Sequence, residues 1–110
     1  MHALEAKIRA ANQAGRAALI PFVTAGFPEP KEFWPVLLDL DQHGADIIEI
    51  GVPFSDPVAD GPVVAKASAQ ALRDGVRLAD ILQEIKARRS FLQAELVLMG
   101  KRAVEVNFRQ

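Results

Sequence analysis

Between Ala17 and Met99 the chain alternates near-continuous apolar runs with stretches of helical period, and few architectures accept that alternation. The first run, Ala17 to Ala25, holds Leu19, Ile20, Phe22, Val23 and Thr24 and is bounded by Gly26 and Pro28. The second, Ala45 to Val52, places Ile47, Ile48 and Ile50 around a single carboxylate, Glu49, and Leu96 to Met99 forms the third. Runs this short, with the first two apolar at successive positions, predict strands buried on both faces. Between them, Phe33, Val36, Leu37 and Leu40 recur at helical spacing up to Gly44, with Pro35 accommodated only if it falls near the first turn. Val63 to Arg73 reads as a helix of small residues ending at Asp74-Gly75. Leu78, Ile81, Leu82 and Ile85 mark a further amphipathic helix, with Lys86, Arg88 and Arg89 near its end, where the helix dipole favours cations. Leu4, Ile8 and Ala11 predict a short opening helix that stops at Gly15.

Strand, helix, strand, helix, strand is the order of a parallel sheet built through helical crossovers, so the fold class is α/β. Periodicity alone leaves a closed barrel and an open doubly wound sheet both standing. With 110 residues, half of them hydrophobic, the chain has apolar material for one packed core. Its 13 basic and 14 acidic side chains are interspersed, which argues against an electrostatic grip on nucleic acid or a membrane surface. The absence of cysteine rules out disulfides and thiolate chemistry, and the first residues have neither a signal-peptide core nor a spanning apolar segment. The expected setting is the cytoplasm.

Three carboxylates invite chemical readings. Glu49 sits near the carboxyl end of a buried strand, where α/β proteins place ligands. Apolar burial disfavours the ionised form of a carboxyl, which suits a group that gives and takes a proton; the alternative is a structural glutamate paired with an arginine or a backbone amide. Asp60, before Gly61-Pro62 at a helix entrance, is most simply an N-cap, and Asp56 in Ser55-Asp56-Pro57 is most simply a turn residue. Yet the connection they share, stiffened by Pro53, Pro57 and Pro62, is long for a strand-to-helix loop, and long ordered loops tend to be functional. His2 and His43 suit neither a metal nor a nucleophile triad, and no phosphate-loop, dinucleotide or zinc spacing is present.

The segment from Gly44 through Ile47-Ile48-Glu49-Ile50-Gly51-Val52-Pro53-Phe54-Ser55-Asp56-Pro57 to Asp60-Gly61-Pro62 is similar to the signature of tryptophan synthase alpha subunits. Pro21-Phe22-Val23-Thr24-Ala25-Gly26-Phe27-Pro28 resembles the first strand and loop of the same family, and Val97-Leu98-Met99-Gly100 its third strand. The resemblance covers roughly residues 1 to 100 and implies an incomplete (β/α)8 TIM barrel, its first three parallel strands with their helices. It also implies a lyase that splits indole-3-glycerol phosphate into indole and glyceraldehyde 3-phosphate by a retro-aldol step. On that resemblance Glu49 is the general acid and base, Asp60 accepts the indole N–H, Phe22 lines the indole pocket and Leu98 is a weaker candidate for the same wall. The loop Pro53, Phe54, Ser55, Asp56, Pro57 becomes the contact with the beta subunit, whose pyridoxal phosphate is the only cofactor implied; none is expected in this chain.

After Gly100 the resemblance stops, and residues 101–110 form a divergent tail, expected as a short strand or as disorder. Val104, Val106 and Phe108 alternate there with polar residues. A complete barrel needs about 250 residues and takes its phosphate site from late loops, so three strands leave open edges and an uncovered apolar face. Three functional readings follow: a lyase segment inactive alone, a module docking on the beta subunit, or a fragment that self-associates through its sheet edges.

Overall fold

The computed structural model describes residues 3–52, 62–99 and 105–107. Its elements run α1 (Ala3–Gln13), β1 (Phe22–Thr24), α2 (Pro30–Gln42), β2 (Ile47–Gly51), α3 (Pro62–Arg73), α4 (Leu78–Arg88), a 3-10 turn (Arg89–Phe91), β3 (Glu95–Met99) and β4 (Glu105–Asn107). The sheet order is β1-β2-β3-β4; the first three strands are parallel and β4 is antiparallel to β3.

Strand alternation separates the two faces of the sheet. Ile48 and Ile50 of β2, with Leu96 and Leu98 of β3, face the helices. They form one buried cluster with Phe33 and Leu37 of α2 and Ile81 and Ile85 of α4. The i, i+4 pairs on these helices are what the apolar spacing predicts, since residues four apart share a helix face. Arg88 of α4 stacks over the Trp34 ring of α2, 5.4 Å from its centroid, and ties the two helices together outside the cluster. The small face of α3, Ala67, Ser68 and Ala71, is buried, which lets its backbone approach β1 closely.

Two sequence expectations change. The first strand is only Phe22–Thr24, and Leu19, Ile20 and Phe22 are exposed. The cause is position: β1 has β2 on one side and no other strand among the described residues on the other. Pro35 is the sixth residue of α2, past the first turn, because the helix already starts at Pro30. It removes one amide donor opposite the Lys31 carbonyl, and both residues are exposed, so water can take that carbonyl.

Two aspartates hold the ends from which the strands start. Asp41, near the end of α2, accepts the N–H groups of Gln93 (3.0 Å) and Ala94 (2.7 Å) just before β3. Asp46, just before β2, takes the Arg16 guanidinium through two bonds of 2.8 and 2.9 Å and the Leu19 N–H at 2.8 Å. The Arg16 bond and the Leu19 amide outweigh desolvation and lower the Asp46 carboxyl to about 2.

Candidate active site

The pairing register brings residues 22, 49 and 97 to one row. Phe22 lies opposite Glu49 and Glu49 opposite Val97, and paired residues of parallel strands project to the same face. That face is opposite the helix-packed cluster. In a barrel with its helices outside, it is the interior. The Glu49 amide donates to the Pro21 carbonyl at 2.9 Å, so its backbone position is fixed by β1. Its side chain is half-buried, with buried Ile47 and Val97 nearby on the same face, and no side-chain group among the described residues bonds its carboxyl. The candidate site is therefore a half-buried carboxyl in an apolar surround.

Phe22 completes the row through an absent side chain. A Cβ added at Gly51 would run into Phe22 Cζ, with Cε2 and Cε1 at 3.2 and 3.3 Å. The ring thus rests over Gly51, two residues beyond Glu49 on the same face of β2. A flat apolar ring and a carboxyl side by side can hold an aromatic substrate and exchange a proton with it.

Leu98 does not belong to this row. It pairs with Ile50 and joins the buried helix-side cluster, because one step along a strand reverses the face, and Val97 occupies the place beside Glu49. Asp60 and the loop Pro53, Phe54, Ser55, Asp56, Pro57 lie outside the described residues, as does His2. His43 caps α2 and its Nδ1 lies 2.8 Å from the Asp39 carbonyl, a local contact of a helix end.

One buried carboxylate escaped the sequence reading. Glu95 shares the inner face with Glu49 but sits at the start of β3, only 2% exposed, and Arg89 holds it at 3.2 Å. The signal was available as a lone acid opening an apolar strand six residues after an arginine. A cleft of about 260 Å³ between Gly26, Phe33, Val76 and Ile81 lies on the helix side, away from Glu49. Among the described residues no cluster has the makings of a metal site, and no helix is long and apolar enough to cross a membrane.

Three parallel strands with helices packed on one face are the arrangement of the first part of a (β/α)8 barrel. The family model for tryptophan synthase alpha chain matches residues 8–104, and the chain belongs to that family. The alpha chain of Desulfovibrio desulfuricans is 67% identical over 100 residues, which are 91% of this chain and 39% of that relative. Tryptophan synthase from M. tuberculosis, in its aminoacrylate-bound form, superposes with a TM-score of 0.82 at 37% identity, over 91% of this chain and 40% of the solved one. The tryptophan synthase complex from Pyrococcus furiosus gives 0.69 at 38% identity, over 76% and 34%. The chain thus spans about two fifths of the length of the relatives it matches.

Proposed function

We propose that this chain supplies the acid–base part of a carbon–carbon lyase site that cleaves indole-3-glycerol phosphate, and that it is inactive without the remaining strands. The observation that supports the reading best is the row Phe22, Glu49, Val97 on the face away from the helices. The glycerol hydroxyl loses its proton to a base as the bond from the indole ring carbon to the glycerol carbon breaks. The ring carbon takes up a proton, leaving indole and glyceraldehyde 3-phosphate. Glu49 serves these transfers, Phe22 stacks on the indole, and Asp60 accepts the indole N–H and offsets charge on the ring. Proton transfer of this kind contributes about 10²- to 10⁴-fold, and only when the substrate is held in place. The phosphate would be held late in the barrel, by residues beyond this chain. The loop Pro53 to Pro57 is assigned to docking on a beta subunit, the pyridoxal-phosphate partner; the chain itself uses no cofactor in this scheme.

The test measures indole release from indole-3-glycerol phosphate by the chain alone, by the chain mixed with one carrying the remaining strands, and by the same mixture with Glu49→Gln. The expected result is turnover in the unmodified mixture only. Turnover by the lone chain, or by the glutamine mixture, overturns the assignment.

A further inference from the structure

We propose that Glu105–Asn107 acts as an edge cap, pairing with β3 in place of a fourth parallel strand and so competing for that edge with any other chain. The proposal rests on backbone geometry and is independent of the lyase reading. Five residues separate Met99 from Glu105. A parallel return needs a crossover of a dozen or more residues, whereas five suffice for a hairpin, so a segment this near in sequence can pair with β3 only in the antiparallel sense. That is the sense observed, with Val97 opposite Asn107, Leu98 opposite Val106 and Met99 opposite Glu105. The family match ends at residue 104, so the strand-forming residues lie just beyond the part shared with the barrel.

The donors can be assigned. Glu95 donates its N–H to the Asp46 carbonyl on the β2 side at 3.1 Å, and Val52 donates to the Met99 carbonyl at 3.0 Å. Backbone groups alternate along a strand, so residues 95, 97 and 99 address β2, while the N–H and C=O of Leu98 address β4. Leu98 and Val106 are therefore the hydrogen-bonded pair, which exchanges two bonds, and the N–H of Asn107 points away from β3. A backbone edge accepts one partner at a time. A fourth barrel strand, or the edge of a second copy of this chain, would need the same Leu98 groups and pairs there only by displacing the cap, as the complementing strands must in the mixed assay.

The test is amide hydrogen exchange on the whole chain. Val106→Pro removes the one donor aimed at Leu98, and Asn107→Pro removes a donor aimed at solvent and favours an extended residue 106. The expected result is that Leu98 exchange accelerates about 10-fold or more in Val106→Pro and is nearly unchanged in Asn107→Pro, while Val97 and Met99 keep their protection in both. Light scattering at matched concentration should show more self-association for Val106→Pro than for Asn107→Pro. Unprotected Leu98 in the unmodified chain, or equal exchange and equal association in the two variants, would overturn the proposal.

Discussion

Asp46→Asn isolates one charge at the start of β2 while keeping an oxygen for the Leu19 amide. The native carboxyl lies at about 2, below its ordinary 3.8, first because of its bond to Arg16 and then because of the Leu19 N–H. A depressed acid stabilises the fold above its unfolded value, and that contribution fades as pH falls from about 4 to about 2. At roughly 1.36 kcal/mol per unit, the gap sets a ceiling of about 2.5 kcal/mol. Arg16 is 52% exposed, so solvent screening reduces the expected loss to about 1 kcal/mol at neutral pH. Urea unfolding of dilute protein, followed by far-ultraviolet circular dichroism at pH 7 and at steps down to pH 2, measures it. The native chain and Asp46→Asn should differ by about 1 kcal/mol at pH 7 and converge near pH 2. A difference that stays constant across that range would refute the ion-pair argument and leave only a packing effect.

Other outcomes follow from single contacts. Asp41→Ala leaves the N–H of Ala94, a residue only 4% exposed, without its carboxylate and should cost about 1 to 3 kcal/mol in the same unfolding assay. Gly26→Ala forces a side chain onto φ +80 and against the Val76 methyls. The backbone part costs about 1 to 2 kcal/mol, so pairing it with Val76→Ala should recover only the remainder. Gly51→Ala should push the Phe22 ring off β2 with little loss of stability, because the ring is already 42% exposed; unchanged Phe22 ring shifts in an NMR spectrum would contradict the placement.

Element identities were legible because Phe33, Leu37, Ile81 and Ile85 mark helix faces by spacing alone, and the Ile47–Ile50 run marks a buried strand. Strand length and face parity were not. Leu19 and Ile20 look like strand core, but hydrophobicity cannot say that among the described residues no strand lies on that side of β1. Leu98 and Val97 are both apolar and buried, so only the pairing with Glu49 decides which one stands beside it. The family motif names Glu49 and Phe22 only as separate expectations, and their shared row is a matter of register that no spacing within one strand can give. The work of Asp41 depends on a contact with residues more than fifty positions away, and Asp46 on Arg16 thirty positions back; distances of that kind leave no local pattern.

The Asp41 and Asp46 anchors sit where the strands begin, whereas Phe22 rests over Gly51, where β2 ends. On the proposed reading, durability and chemistry are thus lodged at opposite poles of one sheet, a strand length of stiff backbone apart. A lineage can accumulate reinforcing substitutions at the aspartate pole while trying new side chains at the other, since contacts that share no partner add almost independently. Such a division makes the Phe22–Gly51 pole a tolerant place for sequence drift, with its losses in firmness recoverable from the far end.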